Sequence, residues 1–222
     1  MAGAAALLLF VADEPAAALV LAVAAVALPV VSGTRRPSRP TGDGSMAGLA
    51  ALARGLGIEG HGVHAFADGA PRLFLPAGRA GPLPELHRDQ VLHRGPGRLG
   101  VSVPPPGAPL LRRWEQESGL PRGGGDVEAA DHVRRALPRL GLGAAVAVDA
   151  GPRLRVRYRP LAHADACRTA REELAPWHVQ GGCPTCSFVA LLAAAAHGAP
   201  VRFAAAGTDE EGRTLLELET VG

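Results

Sequence analysis

Residues 181–203 read GGCPTCSFVALLAAAAHGAPVRF, and this stretch decides how the rest of the chain is interpreted. Two cysteines, Cys183 and Cys186, stand where a polar loop becomes an apolar segment. Pro184 suits the first position of a helix, because the N–H that proline lacks has no helical partner there. The segment therefore predicts a helix that begins after Cys183, ends at Gly198 and is buried, since it is apolar on most sides.

The start of that helix suggests thiol chemistry. Both sulfurs would lie near free backbone N–H groups, where the helix dipole favours a thiolate, as in redox C-x-x-C sites. However, the four positions on either side of the motif carry no charged residue, and small cysteine side chains pack well in a buried helix. We expect that Cys183 and Cys186 are close enough to oxidise but are structural, with thiol-redox chemistry as the alternative.

A metal site is the third possibility for these cysteines. Cys167 and either His178 or His163 would complete a four-ligand set with them. A specific zinc pattern needs two C-x-x-C pairs, or one C-x-x-C with a defined histidine pair, and this chain has one pair with loosely placed extra ligands. We therefore predict no cofactor. The alternative is zinc held by Cys167, His178, Cys183 and Cys186.

The segments around this helix predict an α+β domain. After it, PVRFAAA and RTLLELE are two strands joined by the turn GTDEEG. Before it, AAVAVDAGPRLRVRYRP is another hairpin, flanked by a helix that Asp126 would cap and by a helix through ADACRTAREEL. The order αββααββ over residues 126–222 implies an antiparallel sheet with helices packed on one face.

Residues 46–120 predict a first α+β subdomain. An amphipathic helix is followed by a hairpin that turns at Asp68-Gly69, a strand at 97–103 and a further helix. The glycine-rich sequence PRGGG at 121–125 then marks the boundary with the second subdomain.

One strand of the second subdomain carries a row of arginines. Strand side chains alternate between faces, so PRLRVRYRP places four guanidinium groups on one side. They belong to Arg153, Arg155, Arg157 and Arg159. Such a row is a candidate anion site for a phosphate, a carboxylate or lipid headgroups. It is also typical of a solvated outer face that discourages edge pairing, and we favour that interpretation.

The first 33 residues predict a membrane anchor. Residues 16–33 contain no charge and, at about 1.5 Å per residue, just span a hydrocarbon layer of about 30 Å. Residues 2–12 form either the short first arm of a hairpin or a stretch that lies at the membrane interface or is disordered. A signal peptide is a third option, against which the missing positive n-region argues, and a buried soluble hairpin is the alternative for the whole stretch. The basic sequence TRRPSRP follows at once and would stay in the cytoplasm. We expect a linker at 34–45 and a soluble domain on the cytoplasmic side.

Composition narrows the classes of function. The chain has 222 residues and a net charge of +2, without the basic footprint of a nucleic-acid binder. It contains no P-loop, no G-x-S-x-G and no H-E-x-x-H motif. Three cysteines in a chain of this length indicate reduced thiols rather than a secreted disulfide scaffold. The missing motifs favour a binding domain over an enzyme.

Two family resemblances add to this interpretation. The order of parts, with the phrases GRLGVSVPPPGAPLLRRWE and GCPTCSFVALLAAAAHGAPV, resembles an archaeal family of membrane-anchored proteins with a cytoplasmic α+β domain. Residues 182–219 are similar to the C-terminal part of 4-vinyl-reductase-type domains, which implies a cavity for a small molecule. Cysteines common in the last hairpin of that type are missing here, so the resemblance carries over no thiol or metal chemistry.

Together these observations predict a membrane-anchored cytoplasmic domain that binds a small molecule or a protein partner, and no nucleic acid. One alternative is a thiol-redox or metal-dependent enzyme that uses Cys183 and Cys186. The other is a structural component of a membrane assembly.

Overall fold

The computed structural model describes residues 43–77, 82–95, 98–121, 123–174 and 176–221. The helices are α1 (Asp43–Gly55), α2 (Ala108–Ser118), α3 (Gly125–Arg139), α4 (Ala164–Glu172), α5 (Trp177–Gln180) and α6 (Pro184–His197). The strands are β1 (Val63–Ala67), β2 (Ala70–Ala77), β3 (Leu92–Gly95), β4 (Arg98–Val103), β5 (Gly143–Ala150), β6 (Leu154–Pro160), β7 (Val201–Thr208) and β8 (Thr214–Thr220). The predicted membrane anchor at 1–33 lies outside the described residues.

These eight strands form one antiparallel sheet in the order β3-β4-β2-β1-β7-β8-β6-β5. The α+β class with an antiparallel sheet is therefore confirmed. Each half of the sheet has an inner and an outer hairpin, which are β1-β2 and β3-β4 in one half and β7-β8 and β5-β6 in the other. Among the described residues, the strand pairing between the halves consists of two residue pairs of β1 and β7, which are Val63 with Arg202 and His64 with Val201. One sheet thus runs through both regions that the sequence divides at 121–125.

The turns follow the sequence closely. Asp68 and Gly69 have φ of 50° and 75°, as a two-residue type I′ hairpin turn requires at both positions. In the turn between β7 and β8, the Asp209 carboxylate accepts hydrogen bonds from the backbone N–H groups of Glu211 and Arg213. Local sequence therefore determines these two hairpins, as predicted.

Helix α6 is the centre of the core. Twelve of its 14 residues are buried, and it packs against α2, α3, β1, β7 and β8. Because it has neighbours on every side, it carries no polar stripe. Gly107, just before α2, permits one of these contacts, since a Cβ there would overlap the backbone of Phe188.

The stretch Trp177–His197 is long and apolar enough to cross a membrane, by length and composition alone. Within its most apolar part, however, 89% of the residues are buried inside the domain. The hydropathy of this stretch is therefore explained by its place in the core.

Three details differ from the sequence analysis. Asp126 does not cap its helix, because α3 already begins at Gly125 with Gly124 as its N-cap; the Asp126 carboxylate instead meets Nε2 of His197 at 2.9 Å. Residues 43–45, expected to be linker, belong to α1. Strand β3 was not predicted.

Candidate metal centre

The start of α6 is built as its sequence predicts. Cys183 is the N-cap residue, with an extended backbone (φ −75°, ψ 170°), and its Sγ accepts a hydrogen bond of 3.4 Å from the backbone N–H of Cys186. Pro184 takes the first helical position. This geometry places the Sγ atoms of Cys183 and Cys186 3.4 Å apart.

Helix α4 brings the third cysteine to the same place. Its buried face consists only of Ala166, Cys167 and Ala170, so that α4 lies close to the start of α6. The Sγ of Cys167 is 3.9 Å from that of Cys186. The structure pairs Cys167 with Cys183 as a disulfide, with their Cα atoms 5.1 Å apart, and leaves Cys186 as the free thiol. The expected partner of Cys183 was Cys186, on the same helix; packing of α4 supplies a partner that spacing alone does not reveal.

All three sulfurs lie within 4.8 Å of one another. Cys183 and Cys186 are fully buried, and Cys167 is 4% exposed. His178, the fourth predicted ligand, lies in α5 outside this cluster, and its pKa is lowered by burial and by the charge of Arg171. Among the described residues, no other histidine, cysteine, aspartate or glutamate joins the three sulfurs.

Burial controls the protonation of the free thiol. It raises the pKa of Cys186 to about 11, against the opposing effect of a hydrogen bond with Tyr158, whose hydroxyl lies 3.5 Å from the Cys186 Sγ. Burial also raises the pKa of Tyr158. A neutral, enclosed thiol is a poor nucleophile, so Cys186 does not have the environment of a catalytic thiol. A bound metal ion would reverse this protonation, because a coordinating thiol is deprotonated.

The arginine row lies on an open face of the sheet. In β6, Leu154, Val156 and Tyr158 are buried, while the three arginines of this strand, and Arg153 just before it, are exposed. Arg153 forms an ion pair of 2.9 Å with Glu219, and Arg155 forms one of 3.0 Å with Glu217.

The same face carries a groove of about 430 Å³ between β5, β6 and β8. The carboxylates of Asp149 and Glu217 line it together with Arg155 and Arg157. This mixed charge favours a solvated outer face over an anion site.

A buried contact between His64 and Ser187 is one of the polar features of the core that the sequence analysis did not predict. His64 in β1 is fully buried, its Nε2 is 3.1 Å from the Ser187 Oγ, and its ring meets Phe203 edge to face. Burial lowers the pKa of His64 to about 4, so the imidazole is neutral. Both residues are enclosed between β1 and α6, without access for a substrate. His64 and Ser187 are close in space but far apart in the chain, so no sequence motif indicates their contact.

A second groove, of about 420 Å³, has one charged residue among those that line it. It lies between β1, the end of α2 and the end of α6. Its lining includes Phe66, Leu120, Ala195 and Pro200, with Glu115 as the charged group. This groove suits an apolar small molecule or side chain better than the charged groove on the open face.

Comparison of the chain with known protein families, with curated proteins and with solved structures found no match. The two family resemblances stay predictions. The geometry of the three cysteines is therefore the main basis for a functional proposal.

Proposed function

We propose that this domain binds one thiophilic metal ion through Cys167, Cys183 and Cys186, and that the ion serves folding rather than catalysis. The observation that carries the proposal is the meeting of three buried sulfurs within 4.8 Å. With Cys167 and Cys183 reduced, the three thiols would form the soft ligand set that zinc and monovalent copper prefer.

Charge favours Zn²⁺ over Cu⁺ at this site. Three thiolates with Zn²⁺ leave one negative charge in the core, whereas Cu⁺ leaves two, and uncompensated buried charge is costly. Burial raises the pKa of Cys186, and the charge of the Arg171 guanidinium is the smallest of the effects that oppose it; the same charge would offset a small part of the negative charge of the site. Structural zinc takes four ligands, so a water molecule or the Tyr158 hydroxyl, next to Cys186, would have to complete the set.

A structural role fits the weakness of α4. This helix has nine residues, and its N-cap residue His163 has a left-handed backbone (φ 59°) and forms no side-chain capping bond. Two alanines and Cys167 are all that it buries. A metal ion shared with α6 would fix α4 on the core, as structural metals do in domains with little apolar surface to bury.

The wider role that we propose is the binding of a small molecule or a protein partner. The apolar groove between β1, α2 and α6 supports this second proposal, because it is concave, mostly apolar and has one charged group at its edge. Attachment to a membrane through residues 1–33 stays a prediction.

Metal content tests the main proposal. The full chain, purified in detergent under oxygen-free reducing conditions, should contain about one zinc ion per chain by elemental analysis. Cys186→Ser should lose the zinc. His178→Gln is the matched control. His178 is buried and histidine is a common metal ligand, but this residue lies outside the cluster, so the variant should keep the zinc.

Wild-type protein without bound zinc, also after addition of Zn²⁺ to the reduced chain, would contradict the proposal. So would zinc retained by a folded Cys186→Ser variant. Native mass spectrometry of the same preparation reports any small molecule or partner that is bound as well.

A further inference from the structure

We infer that Cys167 and Cys183 are also an oxidation site, and that a disulfide between them expels the metal ion. This inference rests on the proposed metal site and adds its regulation. Because disulfide and metal need the same two sulfurs, the two states exclude each other. Oxidation would reduce the ligand set from three thiolates to Cys186 alone.

The geometry of the pair supports this exclusion. The Cα atoms of Cys167 and Cys183 are 5.1 Å apart, inside the range of about 4.4–6.8 Å that disulfides span, so the pair can close without moving the backbone. Cys186 Sγ lies 3.4 Å from Cys183 and 3.9 Å from Cys167. In the reduced state, all three sulfurs are thus close enough to bind one metal ion. In the oxidised state, the Cys186 sulfur alone remains as a free thiol.

Access favours Cys167 as the first sulfur to react. It is the member of the cluster with measurable exposure, 4%, while Cys183 and Cys186 have none. It lies on α4, whose other face carries the exposed side chains of Asp165 and Arg168. Because this exposure is so small, the oxidant must be small, and hydrogen peroxide is the class of oxidant that we propose.

The chemistry balances with one peroxide for each disulfide. The Cys167 thiolate attacks one peroxide oxygen, the O–O bond breaks, and a sulfenic acid and a hydroxide ion form. The Cys183 thiolate then attacks the Cys167 sulfur; the S–S bond forms, the S–O bond breaks, and a second hydroxide leaves. The two sulfurs lose two electrons and the peroxide gains them. Cys186, released from the metal, takes a proton from water.

Metal release and disulfide mapping test the inference together. The zinc-loaded full chain in detergent is titrated with hydrogen peroxide, and free Zn²⁺ is read with a chromogenic chelator. Trypsin cleaves after Arg168 and Arg171, which separates Cys167 from a peptide that holds both Cys183 and Cys186. Released zinc should rise in step with the peptide cross-linked through Cys167, and a thiol reductant with added Zn²⁺ should restore the starting state.

Two variants identify the disulfide on metal-free reduced protein. Cys186→Ser keeps the reacting pair and should still lose two hydrogens in intact mass on peroxide treatment. Cys167→Ser, which lacks one member of the pair, should lose two hydrogens more slowly than Cys186→Ser. An unchanged mass in Cys186→Ser, or a faster loss in Cys167→Ser, would overturn the inference.

The remaining outcomes separate the two proposals. If the reduced wild-type chain binds no zinc, the proposed function fails, and this inference fails with it. If zinc binds but peroxide does not release it, or releases it without the Cys167 cross-link, the inference alone is overturned and the metal site stands.

Discussion

The backbone N–H of Cys186 donates its hydrogen bond to the sulfur of Cys183, 3.4 Å away. The same sulfur therefore caps α6 and takes part in the thiol cluster. These two roles can be separated, because serine is a strong N-cap residue and a poor ligand for thiophilic metals.

We predict that Cys183→Ala lowers the free energy of unfolding by about 1 kcal/mol more than Cys183→Ser, since only serine keeps the cap. Urea denaturation of reduced, metal-free protein measures this difference. Cys167→Ala and Cys167→Ser form the matched control pair, because Cys167 lies inside α4 and caps no helix. A serine advantage of equal size at both positions would contradict the capping role.

We predict that stability falls as the pH falls from 6.5 to 4, partly because of His64. Its folded-state pKa of about 4 is below the ordinary 6.5, so the unfolded chain binds the proton first in this window. The unfolded state is then favoured by up to about 3 kcal/mol at the lower end. Urea denaturation at a series of pH values checks the slope.

The slope should flatten in His64→Gln. His61→Gln is the control, because His61 is an exposed residue only three positions away. The lowered pKa values of His132 and His178 act in the same direction and persist in both variants. Parallel pH curves for wild type and His64→Gln would remove His64 from this explanation.

Two glycine-to-alanine changes should have opposite effects. Gly107→Ala should destabilise the fold by about 1–3 kcal/mol, because its Cβ would overlap the backbone of Phe188 in α6. Gly48→Ala lies in α1 with open space around it and should stabilise the fold by up to about 1 kcal/mol through helix propensity. Thermal unfolding of both variants measures the contrast. An unchanged melting temperature in Gly107→Ala would show that α2 and α6 have room to separate.

The arginine row should contribute little to stability. Arg157→Ser should change the free energy of unfolding by no more than about 0.5 kcal/mol, because the side chain is exposed and forms no ion pair with the described residues. Arg155→Ser should cost at most about 1 kcal/mol through its exposed pair with Glu217. Inorganic phosphate should leave the melting temperature unchanged. A phosphate-induced rise in wild type that Arg157→Ser abolishes would restore the anion-site hypothesis.

Local chemistry made much of the fold predictable. Pro184 and Gly198 define the two ends of α6, and Asp68-Gly69 defines the turn of a hairpin. These features are readable from the sequence because each depends on residues that are adjacent in the chain. Strand β3 was not predicted because it depends on residues that are not adjacent in the chain. It has four residues, and buried His93 is held there by Ser102 of the adjacent strand at 2.8 Å, a partner that only the folded sheet provides.

The candidate site was predictable in part. The C-x-x-C spacing indicates that Cys183 and Cys186 are neighbours, because both belong to one helix start. Cys167 is 16 residues away from Cys183 and on another helix, so its place in the cluster depends on how α4 packs. The sequence offered His178 as an equal candidate, and nothing in its spacing shows that α5 keeps this side chain outside the cluster.

The narrow junction between β1 and β7 has a consequence for how the domain comes apart. Each half of the sheet has four strands, and two residue pairs are a weak backbone link between them. The halves would separate easily if this strand pairing were their only connection. Helix α6 lies across that junction, where it contacts β1 of one half of the sheet and β7 and β8 of the other half. The buried hydrogen bond from the Trp114 indole in α2 to His132 in α3 is a second connection between the two halves. A substitution that loosens α6 should therefore weaken the coupling between the two halves of the sheet and leave the α2–α3 contact as their remaining buried link.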